Sequence, residues 1–171
     1  DKGDALDREA SRRTATIYLP NISVPMFPPR LSSDLSSLKA DRIRPAFTIE
    51  ARFDEGDALV DFKISRSLIK VSQRLTYEAV DRALADGRRS LARLHQIAKR
   101  LHDSRVEAGA QTHRRPEIKV KVADGTIFVN QVNVDTPSRL IVSELMILAN
   151  QPAAYTALPK GIPVIYPTPQ A

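Results

Sequence analysis

The chain contains no cysteine. It can therefore build neither a disulfide framework nor a thiolate metal site. No apolar run approaches the roughly 20 residues needed to span a bilayer, so no membrane association is expected. No charged segment followed by a short apolar stretch marks a secretion signal. The cytoplasm is the expected compartment. Gly-rich phosphate loops, Ser-His-Asp order and zinc-ligand spacings are all missing. There are no internal repeats and no low-complexity tracts.

The titratable residues narrow the chemistry further. His95 and His102 stand seven apart on one stretch of helical pattern. A helical metal pair needs spacing i, i+4, so both read as residues of an amphipathic face. Asp54, Glu55, Asp57 and Asp61 crowd one turn. A two-metal site needs convergent carboxylates, and a turn of this composition reads as solvated. No metal site is expected within the chain.

What is present is a basic surplus. Lys and Arg number 26 against 20 Asp and Glu, a formal net charge of +6. Such a balance suits a polyanion through phosphate neutralisation, although an ordinary basic soluble protein would also show it. A length of 171 residues is close to one domain.

The pattern along the chain is mixed. Asp4 to Thr14 reads as a helix capped by Asp4. Leucines 31, 35 and 38 suggest one or two helical turns over Leu31 to Leu38. Phe47, Ile49, Ala51 and Phe53 alternate as a strand, and Ala58 to Val71 returns after the Asp54-Glu55-Gly56-Asp57 turn. Thr76 to Ala85 is a capped helix. Ser90 to Arg105 carries Leu91, Leu94, Ala98, Leu101 and Arg105 in one stripe, with Arg88, Arg89, Arg93, Lys99 and Arg100 mostly off it. Ile118, Val120 and Val122 alternate, Asp124-Gly125 turns, and Ile127, Val129, Val132 and Val134 return as a second hairpin. Ser138 to Asn150 is a largely apolar helix. From Gln151 on, five prolines make a loop or tail. The expected class is α+β, antiparallel hairpins packed with helices.

The most specific stretch is Tyr18-Leu19-Pro20, then Val24-Pro25-Met26-Phe27-Pro28, then Leu31 to Leu38. Prolines 20, 25, 28 and 29 lock φ and remove donors, and each pushes its predecessor toward extended backbone. Such a loop can hold an aromatic ring in one place. The order of these pieces resembles the ribonuclease II / ribonuclease R family, whose catalytic module is the RNB domain. Arg74-Leu75-Thr76-Tyr77-Glu78-Ala79-Val80 extends the likeness. So do Arg105 to Gly109 and Ile141-Val142-Ser143-Glu144-Leu145-Met146-Ile147-Leu148-Ala149-Asn150. The match spans roughly residues 4 to 152.

The resemblance implies a segment of a 3′→5′ exoribonuclease that hydrolyses single-stranded RNA to nucleoside 5′-monophosphates with Mg²⁺. Residues 1–171 would form part of an RNB catalytic domain, with 151–171 leading to its remainder. The family's metal-binding aspartates lie upstream of the matched region, so the Mg²⁺ ligands are expected outside this chain, as are flanking OB-fold domains. An RNB-like RNA-binding or scaffold protein without catalysis is the alternative.

The resemblance also assigns residues. Tyr18 becomes the catalytic candidate, contacting the 3′-terminal nucleotide near the scissile phosphate. Its π-face can stack on a base and its hydroxyl can donate to a phosphate. His113, with Arg114 and Arg115, sits where the family has an aromatic base clamp. Ser143 and Glu144 fall where the family has two glutamates, the first touching ribose. Ser143 replaces that first carboxylate, while Glu144 is open to both an RNA contact and a buried structural pair. Tyr77 either packs at a helix start or touches RNA.

Overall fold

A computed structural model describes residues 2–111 and 117–162. In chain order the elements are α1 (Ala5–Arg13), β1 (Ile17–Tyr18), β2 (Ser23–Val24), β3 (Ile43–Phe53), β4 (Leu59–Lys70), α2 (Tyr77–Ala85), α3 (Arg89–Glu107), β5 (Glu117–Ala123), β6 (Thr126–Val132) and α4 (Pro137–Ala157). The strands form three separate two-stranded sheets, β1-β2, β3-β4 and β5-β6. The class is α+β. Among the described residues no helix is long and apolar enough to cross a membrane. The chain divides into two compact units, with 1–45, 68–74 and 116–132 in the first and the remainder in the second.

In the first unit, Asp4 caps α1 by accepting from the Asp7 amide at 2.8 Å. Glu9 braces the last turn through Arg12 and Arg13. The proline loop then folds back as a miniature hairpin, Ile17 opposite Val24 and Tyr18 opposite Ser23, closed by Leu19 N–H donating to Ile22 O. The expected leucine-faced helix at 31–38 is instead a single π-helical turn, in which Ser36 N–H reaches back to Leu31 O at 3.0 Å. Leu35 and Leu38 stay exposed, so leucine spacing there reflects no packed face. The β5-β6 hairpin has the register its alternation predicts, Lys119 opposite Asn130 and Val120 opposite Val129. Its turn places Asp124 and Gly125 both at positive φ, 50° and 74°, the conformation that selects Asp-Gly in two-residue hairpin loops.

In the second unit α2, α3 and α4 pack on one another. Thr76 caps α2 and Thr136 caps α4, each side chain accepting a backbone N–H, with Pro137 following at the first turn of α4. The fully buried apolar residues are Ala98, Ile141, Leu148, Pro152 and Ala157. Asp81 joins α2 to α4 by accepting from the amide and hydroxyl of Ser138, both at 2.9 Å. Phe62 of β4 stacks on Tyr155 of α4, ring centroids 6.2 Å apart.

Helix α4 corrects the loop expected from Gln151. It runs on to Ala157 with Pro152 in its interior. A proline there forfeits a backbone hydrogen bond and crowds the preceding turn, at a cost of about 3 kcal/mol. Pro152 is wholly buried, and burial of its ring works against that cost. Phe47 departs from the alternation of its strand and lies exposed.

Candidate nucleic-acid interface

Tyr18 is 81% exposed, the most accessible of the large apolar side chains described. Its position is nevertheless well determined. Pairing with Ser23 holds its backbone. Arg13 donates to the Pro25 carbonyl at 3.1 Å, and Met26 N–H donates to Thr16 Oγ1 at 3.1 Å. The two bonds pin the proline segment to α1 and to the approach to β1. Arg13 is in turn held by Glu9, whose carboxyl is pulled down to about 2 by its hydrogen bonds with Arg12 and Arg13. A ring on a braced hairpin, with no packing role of its own, can meet a ligand without reordering.

The other predicted residues described here lie in the second unit. Tyr77 opens α2 and lies under the Arg139 guanidinium, 4.5 Å from the ring centroid. That cation–π contact ties α2 to α4 and supports its packing role. Ser143 and Glu144 are neighbours on α4 with opposite fates. Ser143 is exposed and donates back to the Leu140 carbonyl at 3.1 Å. Glu144 is 2% exposed. Arg105 grips it with Nη2 on Oε1 at 2.5 Å and Nε on Oε2 at 3.2 Å. His102 Nδ1 lies 3.1 Å from Oε1, so Nδ1 carries a proton, because a carboxylate can only accept. Both carboxylate oxygens are occupied within the protein. His113, Arg114 and Arg115 lie outside the described residues.

The turn acids do not converge on a cation. Asp54 accepts from the amides of Gly56 and Ala58, both at 2.9 Å. Asp61 pairs with Arg52 on β3 at 3.2 Å. Asp57 is buried and paired with Arg93 of α3, with Gln96 on the same carboxylate. The solvated turn expected from composition is thus anchored at one acid to α3. Among the described residues no group of three or more His, Cys, Asp or Glu could hold a metal ion. The described carboxylates do not fit a divalent metal centre.

His102 and Arg105 were legible only in part. Arg105 falls on the apolar stripe of α3, and a cation on a buried stripe needs a buried anion. The stripe could not say that the anion is Glu144, 39 residues on. Arg93 carried no such signal, since it reads as one more cation on a solvated face.

Both the sequence and the fold are similar to those of known proteins. The sequence pattern of the RNB domain matches residues 1–170. An uncharacterized ribonuclease of Synechocystis sp. is 36% identical over 167 residues, covering 94% of this chain and 25% of that protein. The exosome complex exonuclease RRP44 of Homo sapiens is 35% identical over 158 residues, covering 86% of this chain and 16% of its own length. The fold matches that of Mycoplasma genitalium RNase R, solved in complex with ribose methylated single-stranded RNA. Its TM-score is 0.83 at 22% identity, over 94% of this chain and 27% of that one. The chain thus spans about a quarter or less of the length of these relatives. With a pattern match over nearly every residue and the same arrangement of helices and hairpins, the chain belongs to the RNB domain family.

Proposed function

We propose that this chain is part of a 3′→5′ exoribonuclease that hydrolyses single-stranded RNA to nucleoside 5′-monophosphates. The observation that supports the reading is Tyr18, braced in position and open to solvent on the β1-β2 hairpin, a ring free to meet a nucleotide. The ring stacks on the terminal base and the hydroxyl donates to a phosphate oxygen, so the bond to be cut is held in one place. Positioning of this kind matters, because a misplacement of about 1 Å can cost on the order of a hundredfold in rate. Exposed Ser143 offers its hydroxyl to RNA. Glu144, with both oxygens committed, fixes α4 rather than touching RNA. His113, Arg114 and Arg115 supply side chains that can stack on bases and neutralise phosphates. Mg²⁺ is the cofactor, bound by carboxylates outside these residues, and OB-fold domains of the same protein deliver the strand. The cytoplasm is the compartment.

The test uses the full protein that carries this chain and a 5′-labelled single strand. Progressive shortening from the 3′ end, with release of nucleoside 5′-monophosphates, is expected. The Tyr18→Ala protein should stop at a longer limit product while its affinity for long RNA stays nearly unchanged. Long strands are held by many phosphate contacts, whereas one stacked base, worth about 1 to 3 kcal/mol, is a large share of what holds a short one. Absence of any 3′ shortening by the unaltered protein overturns the reading. An unchanged limit product and rate with Tyr18→Ala would remove Tyr18 from the nucleotide site.

A further inference from the structure

The β5-β6 ribbon has two unlike faces. Alternation puts Ile118, Val120 and Val122 on one face, across from Gln131, Val129 and Ile127. The opposite face carries Lys119 and Lys121, directly across from Asn130 and Phe128. All four of these side chains are exposed, Phe128 by 48%. Neither lysine has an ion-pair partner among the described residues. The acid on this face, Glu117, sits at the far end of the ribbon opposite Val132. Ile118, Ile127 and Val129 on the other face are also exposed; what sets this face apart is an aromatic ring between a lysine and an amide.

We infer that this face is a second single-stranded RNA subsite, in which Phe128 stacks a base, Lys119 and Lys121 neutralise successive phosphates, and Asn130 hydrogen-bonds a base edge or sugar. The inference rests on the ribonuclease reading above and extends it to residues that no part of that reading uses. Charge complementarity selects the occupant. Two unpaired cations beside an aromatic ring and an amide suit a strand that offers phosphates and unstacked bases together. An acidic protein surface would use the lysines and leave the ring without a partner.

The ribbon is also joined to the Tyr18 hairpin within the same compact unit. With its amide nitrogen turned inward, Asn21 donates to the carbonyls of Pro20 and Val122, each at 3.2 Å. The turn that follows Tyr18 therefore rests on the backbone of β5. A strand whose end lies on Tyr18 has a second aromatic stop on the element that supports the first.

The test is fluorescence anisotropy of a labelled oligouridylate of about 10 nucleotides. It uses the full protein carrying this chain, with chelator present so that no strand is consumed. Phe128→Leu keeps an apolar side chain of similar bulk but removes the π-face, and should weaken binding by about 5- to 150-fold. Phe128→Tyr should bind as the parent does. Lys119→Gln with Lys121→Gln should lower the slope of log K against log salt by about 1.4, at roughly 0.7 per phosphate contact. Circular dichroism of each variant guards against misfolding, and Phe128→Tyr separates loss of the ring from loss of the fold. Parent-like affinity of Phe128→Leu, while the unaltered protein still binds and shortens RNA, overturns the subsite and leaves the ribonuclease reading standing. Weakening by the lysine changes alone also overturns it, because the face would then be an unspecific polyanion surface. Failure of the unaltered protein to bind RNA removes both.

Discussion

The first unit carries Tyr18, Lys119, Lys121 and Phe128 in the open, and none of its described residues is fully buried. Every buried residue described, from Asp57 through Glu144 to Ala157, lies in the second. The polar groups differ in the same way. In the first unit Glu9, paired with Arg12 and Arg13, lies at the surface and holds one local turn. In the second, Glu144 and Asp57 are removed from water and join elements far apart in sequence. A charge that has left water must keep its partner, whereas an exposed one can lose it cheaply. The second unit is therefore where polar substitutions should be felt as stability. The first is where aromatic and basic substitutions should be felt as binding.

The sharpest way to break this contrast is Glu144→Ala. It leaves Arg105 and His102 without their anion in a site that is 2% exposed at the carboxylate. Removing one partner of a buried pair should cost about 3 kcal/mol, read as a lower urea midpoint at unchanged m. A loss under about 0.5 kcal/mol, the scale of an ordinary surface change, would remove the distinction between the units. Asp57→Ala comes next. It frees Arg93 and Gln96 from the tip of the β3-β4 hairpin, and about 1 to 3 kcal/mol is expected for an uncompensated buried polar group. Arg93 is half exposed and can recover some hydration, which places the effect below that of Glu144.

Tyr18→Ala should lie at the other end, within about 0.5 kcal/mol of the parent in the same urea experiment. Its cost should appear only with short RNA. A large stability loss would show that the ring packs, and the first unit would no longer be the presenting one.

The smallest effect concerns pH. Glu9 is held at about 2, below its ordinary 4.5, chiefly by hydrogen bonds from Arg12 and Arg13. A depressed carboxyl stabilises the fold above 4.5 and loses that contribution as pH falls through 2. Between those values Glu9 should stay ionised and keep Arg13 on the Pro25 carbonyl. A carbon NMR titration of the Glu9 carboxyl should give a midpoint near 2, rising with salt because the pairs are exposed. A midpoint near 4.5 would mean that Glu9 does not brace the hairpin.

Local signals were the readable ones. Asp4 and Thr76 cap helices because a short polar oxygen ahead of an apolar pattern has few other uses. Asp124-Gly125 specified its turn by the left-handed backbone that it tolerates. The prolines made a constrained loop around Tyr18 readable, because their restriction is carried by the chain itself; that the loop folds as a hairpin and leaves the ring exposed was not. Proline also misled at 152, where the local rule ends a helix and burial of the ring overrides it. The turn acids misled as well. Composition cannot show that Asp57 meets Arg93, 36 residues away.

The sequence alone determined the Asp4 and Thr76 caps and the Asp124-Gly125 turn, because each depends on neighbours a few residues apart, and the family, because its motifs recur in order along the chain. Only the tertiary structure decided that Glu144 faces inward to Arg105 and His102 while Ser143 faces out. The tertiary structure also showed that Phe128 is left in water beside Lys121. On a helix or a ribbon the pattern specifies which residues share a face. Which face is covered depends on what the rest of the chain packs against it.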